Sequence, residues 1–202
     1  MPCRAELRRL QAPICARCGA PTAWPVERCR ECSGRRLAFA SARAAVLYDR
    51  AARSLVAAWK EHAIRVLAES AADLICETVP VPPVDGLVFV PPDGERLLRR
   101  GHNPSRELAL ELGCRWGLPV GDVLLRGRRA AVRQRGLTRA ERTRNVAGAF
   151  RARRGPLPAK LLVVDDVYTT GATASAVASA LRAAGAREIH VVTLARTVRT
   201  AS

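Results

Sequence analysis

Aromatic residues are scarce in this chain: three Trp, two Tyr and three Phe, or 4% of 202 residues. Proteins that hold single strands by stacking bases on rings need more such platforms, so direct base stacking has thin support. Lysine is nearly missing too. The 34 basic residues include only Lys60 and Lys160, which leaves 32 arginines. No apolar run approaches the ~18 residues of a membrane-spanning helix. The N-terminal MPCRAELRRL lacks the apolar block of a secretory signal, so a cytoplasmic location is the expectation. Seven cysteines, an odd number with no such signal, argue against a disulfide framework.

What is present is a chain 49% hydrophobic, mostly Ala, Leu and Val, which can bury a core. The length suits one ordinary domain with a small appendage. The net charge of +16 is carried by arginine. Guanidinium forks onto phosphate oxygens, so the charge suggests polyanionic partners: a phosphorylated small molecule or nucleic acid. The arginine skew fits a GC-rich genome equally well, and part of the charge reads as ordinary solvated surface.

Four cysteines form two pairs, Cys15-x-x-Cys18 and Cys29-x-x-Cys32, ten residues apart. Two such knuckles can give four thiolates to Zn²⁺ in tetrahedral array, a closed and structural site. Gly19 and Gly34 beside them relieve tight turns. A head of about forty residues with so little apolar content needs such a staple. Cys76 and Cys114 fall in helical stretches and read as small buried hydrophobes.

Beyond the head, Ala44–Tyr48 reads as a strand. Residues 50–78 follow a helical rhythm through Leu55, Trp59, Ile64, Leu67, Leu74 and Ile75. Leu87–Val90 is a continuous apolar run of the buried parallel-strand type. It leads into the loop PPDGERLLRRGHN, after which Asn103 caps a helix with Pro104 at its first position. Asp122–Leu125 is a short strand candidate. Residues 126–154 hold eleven arginines and one acid, Glu141, and read as a mobile or ligand-ordered loop. Leu161–Val164 and Ile189–Leu194 are strands flanking a helix over Ala172–Ala184, which Gly185 stops. Strands alternating with helices imply a parallel α/β sheet.

The segment Leu161–Thr173, LLVVDDVYTTGAT, carries the chemistry. An apolar strand ends in Asp165 and Asp166, where open α/β sheets place ligands. Thr169, Thr170, Gly171, Ala172 and Thr173 then lead into a helix. Small residues let N–H groups close on an anion, hydroxyls add donors, and the helix dipole favours negative charge. A phosphate fits this loop. The two carboxylates suit sugar hydroxyls or a metal ion held through water.

The order VVDDVYTTGAT resembles the signature of type I phosphoribosyltransferases, whose loop cradles a 5-phosphate while the paired acids face the ribose. Arg100-Gly101 and Asn103, then Gln134, Arg142, Asn145 and Gly148-Ala149-Phe150, with Tyr48 and Lys60 upstream and the cysteine head before everything, resemble the ComF family. That family joins a zinc-ribbon-like head to a phosphoribosyltransferase domain and is associated with DNA uptake in natural competence. The resemblance implies an α/β type I phosphoribosyltransferase fold, a parallel sheet flanked by helices, over 41–202, and a zinc-ribbon-like module with four cysteine ligands over 1–40. It implies Mg²⁺-bound phosphoribosyl pyrophosphate, or a nucleotide, as ligand. It also implies a pyrophosphate loop at 91–103 and a closing loop near 128–146. Arg99 and Arg100 in the first, with Arg133, Arg135, Arg139 and Arg142 in the second, are the candidates for stabilising departing pyrophosphate. Asp165, Asp166, Arg100 and Arg135 are the catalytic candidates. His102 reads as structural or exposed, not as a general base.

His102 and Pro104 stand where the family commonly has an aromatic and a Gln. Relatives often carry a further upstream cysteine pair, and the lone Cys3 looks like its last member, so truncation upstream of Cys3 is an expectation. Three functions stay open: a phosphoribosyl transferase whose acceptor is not legible, a non-catalytic nucleotide sensor, and a module that binds single-stranded DNA or a competence translocase.

Overall fold

The computed structural model describes residues 4–62, 65–92, 94–127 and 148–198. After a short 3-10 turn at Arg4–Glu6, the described elements run β1 (Ser41–Leu47), α1 (Arg50–His62), α2 (Arg65–Thr78), β2 (Gly86–Phe89), α3 (Gly94–Arg100), α4 (Pro104–Trp116), β3 (Val120–Gly121), β4 (Leu124–Arg126), β5 (Phe150–Ala152), β6 (Lys160–Tyr168), α5 (Ala172–Ala183) and β7 (Glu188–Arg196). The main sheet is wholly parallel, in the order β1-β7-β6-β2-β3.

Both faces of this sheet are covered, which is why its central strands are apolar without alternation. Along β6, Leu162 and Val164 face a cluster with Trp59, Leu74, Ile75, Leu108 and Leu112 from α1, α2 and α4. Leu161 and Val163 face the opposite cluster with Val177 and Leu181 of α5. The cysteine head belongs to that second cluster through Cys15, Cys18, Cys32, Leu37 and Phe39. The N-terminal chain also bonds to the outer side of β1: Leu10 N donates to Ala45 O, Leu47 N to Arg8 O and Ala42 N to Arg17 O, at 2.8–2.9 Å.

The expected cap holds at α4. Asn103 Oδ1 accepts from Ser105 N at 3.1 Å, Pro104 opens the helix and Gly117 closes it in the left-handed region. The helical rhythm over 50–78 is carried by α1 and α2. Several expectations need correction. The loop over 91–103 contains α3, whose Leu97 and Leu98 are exposed. The strand placed at Asp122–Leu125 lies at Leu124–Arg126 and leaves the parallel sheet, pairing antiparallel with β5; a two-residue strand, β3, takes the sheet position. Cys76 and Cys114 are exposed rather than buried, because each sits just past the apolar stripe of its helix. Ile64, Arg133, Gln134, Arg135, Arg139, Arg142 and Asn145 lie outside the described residues. No helix among the described residues is long and apolar enough to cross a membrane.

Trp59 is fully buried and its indole N–H donates to Glu107 Oε2 at 3.1 Å, tying α1 to α4. Trp59→Ala is expected to cost roughly 3–5 kcal/mol, read as a lower denaturation midpoint with little change in slope.

Candidate functional site

The site forms where two parallel strands end at different heights. β2 pairs with β6 through Phe89↔Val164, and Val90 N adds one more bond to Val164 O at 3.1 Å. Pro91 and Pro92 follow. Neither has an N–H to donate, so the ladder stops. β6 runs on to Tyr168, paired with β7 alone. The strand expected to end at Val164 is thus longer, and Asp165 and Asp166 lie within it. From β2 the chain turns outward to β3; from β6 it turns the other way, to β7. Such a reversal opens a crevice at the strands' carboxyl ends.

A cleft of about 250 Å³ occupies this place. It is lined by Asp165, Asp166, Thr169 and Thr173 from the β6–α5 segment, and by Arg100, His102 and Asn103 from the β2–α4 connection. Tyr48, Lys60, Ser105 and Arg126 join them. Gly171 lies beside it, in a smaller recess shared with Thr169 and Thr173. Its φ is +73°, and a Cβ there would run into the Tyr168 ring and hydroxyl, so a side chain at this position is strained. The Thr170 and Ala172 side chains do not line the cleft. Thr170 Oγ1 accepts from Ala172 N at 3.3 Å and shapes the turn, while Ala172 packs on the far side near Arg35 and Leu37.

The acid pair is asymmetric. Asp166 is ion-paired with Lys60 Nζ. Asp165 Oδ1 accepts from Ser105 Oγ at 3.0 Å and from Asp166 N at 2.9 Å. Burial, and then the Asp166 charge, push the Asp165 carboxyl up from its ordinary 3.8 to about 7, against the pull of Lys60, the Asp166 N–H and Ser105. Arg100 Nη2 reaches Glu61 Oε1 at 3.2 Å, and its Nε is buried with no acceptor among the described residues. His102 hydrogen-bonds on both ring nitrogens, to Arg100 O and Trp59 O, each at 3.1 Å. Arg99 is exposed and outside the cleft lining.

The cysteine head touches the same loop. Arg35 Nη2 donates to Thr170 O at 2.6 Å. Arg196, 1% exposed, donates to Cys18 O and, at 2.8 Å, to Glu31 Oε2, while its guanidinium covers the Tyr168 ring at 4.9 Å. The sulfur atoms of Cys15, Cys18, Cys29 and Cys32 all lie within 4.8 Å of one another. Cys15–Cys32, Cys18–Cys29 and Cys29–Cys32 are 3.6, 3.5 and 4.0 Å apart. A tetrahedron with metal–sulfur bonds of about 2.3 Å has edges of about 3.8 Å, so the four fit a metal ion of that kind. Burial would raise the Cys15 thiol, but the N–H groups of Cys18, Cys29 and Arg17 bring it down to about 7. Burial pushes Cys18 and Cys32 up. Bound cation relieves that cost by holding thiolates.

Residues 97–201 match the phosphoribosyl transferase domain family. The chain is 30% identical to DNA utilization protein YhgH of Salmonella typhi, over 96% of its own length and 88% of that protein. It is 31% identical to Competence protein F of Haemophilus influenzae, over 55% of its length and half of that protein. The chain belongs to the ComF family. Its fold is accordingly the type I phosphoribosyltransferase fold with a four-cysteine head able to hold a metal. A structural likeness, with TM-score 0.41 and 23% identity, covers 63% of this chain and 25% of glutamine phosphoribosylpyrophosphate amidotransferase from B. subtilis, complexed with ADP and GMP.

Within this ComF-family cleft, the features not read from sequence are the ion pair of Lys60 with Asp166 and the hydroxyl of Ser105 on Asp165. Lys60 stands out as one of two lysines and as part of the family resemblance, without a partner, and Ser105 is not singled out.

Asp165 gives the apo protein a distinct pH response. Below the ordinary carboxyl range folded and unfolded chains both carry its proton; from about 4 to about 7 only the folded chain keeps it. The Asp165 contribution to stability is therefore complete at low pH and lost as pH rises through about 7. Asp165→Asn should melt several degrees higher than the wild type at pH 8 and much like it at about pH 4, measured by calorimetry at both pH values.

Proposed function

We propose that this chain binds phosphoribosyl pyrophosphate together with Mg²⁺ in the cleft at the ends of β2 and β6. The observation that carries the reading is the meeting, in one crevice, of two opposite chemistries. Asp165 and Asp166 offer carboxylate oxygens suited to ribose hydroxyls or a hard divalent cation. Thr169, Gly171 and Thr173 border a turn into α5, where small residues, hydroxyls and the helix dipole suit the 5-phosphate. Arg100, with a buried Nε lacking an acceptor, suits the diphosphate. Thr170 and Ala172 serve this loop through its backbone shape. Arg135 is proposed to join Arg100 from the arginine-rich segment. When bound, Mg²⁺ would offset charge on the diphosphate; the chain's own residues orient the ribose and surround the leaving group.

The head is proposed to hold a structural Zn²⁺ on Cys15, Cys18, Cys29 and Cys32. The names of the relatives, a DNA utilization protein and a competence protein, support a role in DNA uptake. Single-stranded DNA or a translocase is the macromolecular partner that such a role would require, and the surplus of arginine is compatible with it.

Calorimetry with Mg²⁺ and phosphoribosyl pyrophosphate is expected to show one site per chain, and Asp165→Ala with Asp166→Ala to weaken it by at least about tenfold. A folded, metal-loaded wild type that gives no heat would sink the proposal. Pyrophosphate release across a panel of nucleobases and amines separates transferase from sensor. For the head, emission spectroscopy should find one zinc per chain, and a strong chelator should lower the melting temperature; full stability without metal would refute a structural role.

A further inference from the structure

Three consecutive residues at the end of α1 engage the charged groups of the cleft or their supports. Trp59 O accepts from His102 Nε2, Lys60 pairs with Asp166, and Glu61 pairs with Arg100. In the free protein, then, the residue best suited to a cation already holds an ammonium, and the residue best suited to an anion already holds a carboxylate. Both pairs are built to exchange. The Lys60 and Asp166 side chains keep 26% and 15% of their surface in water, and Glu61 keeps 54%. Partly solvated pairs of this kind are weakly held.

The identity of residue 60 matters. This chain uses arginine 32 times and lysine twice, and one of the two lysines faces Asp166. A guanidinium would grip that carboxylate with two parallel bonds. An ammonium is a compact charge on a flexible stem, with three donors that can turn to a new acceptor. When a divalent cation reaches Asp166, the ammonium is expelled by like charge. The nearest strong acceptor is then the polyanion that arrives with the cation, beside Arg100 and its unmet Nε.

We infer that Lys60 is a ligand-contacting residue held in reserve: it neutralises Asp166 in the free protein and passes to the diphosphate when a divalent cation takes its place. Glu61 is the matching stand-in on Arg100. The inference rests on the reading of the cleft given above and narrows the ligand to a divalent cation and a diphosphate bound together. A lone monophosphate lacks the cation that frees Lys60.

The two-lysine composition makes this directly observable. Reductive ¹³C-dimethylation preserves charge and yields two lysine side-chain signals, assigned with Lys160→Arg. On titration with Mg²⁺ and phosphoribosyl pyrophosphate, the Lys60 signal should move while that of Lys160 stays. By calorimetry, Lys60→Met should weaken binding about tenfold, and Glu61→Gln should tighten it by about two- to fivefold. The inference is overturned if the ligand binds with measurable heat while the Lys60 signal stays fixed, or if Lys60→Met binds as tightly as the wild type or more tightly. A wild type that gives no heat at all overturns the underlying reading, and this inference with it.

Discussion

The organising constraint is the unequal length of β2 and β6. Two prolines deny β2 the donors it would need to keep pace, while β6 continues along β7 for four more residues. Asp165 to Tyr168 are thereby held rigidly from one side and left open on the other. The acids stand on a strand, not a loop, so their direction is set by the ladder with β7. The crossing of connections in opposite directions keeps backbone from filling the gap. The turn at Gly171 and the N-terminus of α5 then arrive from below, and Asn103 and Arg100 from across.

A strand that carries two adjacent acids where its neighbour stops bears an electrostatic burden. The structure divides it unequally: Asp166 takes a lysine, Asp165 takes a serine hydroxyl and a backbone N–H. Hydroxyl and amide donors offset less than a full counter-charge, which leaves Asp165 close to its proton at neutral pH. Strain of this kind belongs at a binding site, where an incoming ligand can supply what the protein withholds.

Local signals make much of this legible in the sequence. The Asn103-Pro104 helix start, the central apolar strands and the two Cys-x-x-Cys pairs each depend on neighbours a few residues away and are found where expected, while the strand of VVDDVYTTGAT runs past its acids to Tyr168. What stays hidden depends on distance along the chain. Lys60 meets Asp166 and Ser105 meets Asp165 only because α1 and α4 pack against the sheet. The α3 helix is obscured by the turn formers around it. Cys76 departs from expectation by a single position: Ile75 faces the core, and the next residue turns about 100° away from it. The contacts of Arg35 with Thr170 and of Arg196 with Tyr168 and Cys18 are likewise invisible in the sequence, although they tie the cysteine head to the domain's second core.

That head has a further consequence. β1 is the last strand on its side of the sheet, with an apolar sequence and a row of backbone groups that would template another chain. Arg8 and Leu10, before the first knuckle, and Arg17, within it, occupy this row through bonds with Leu47, Ala45 and Ala42. The head therefore covers a border that would otherwise offer its backbone groups to another chain.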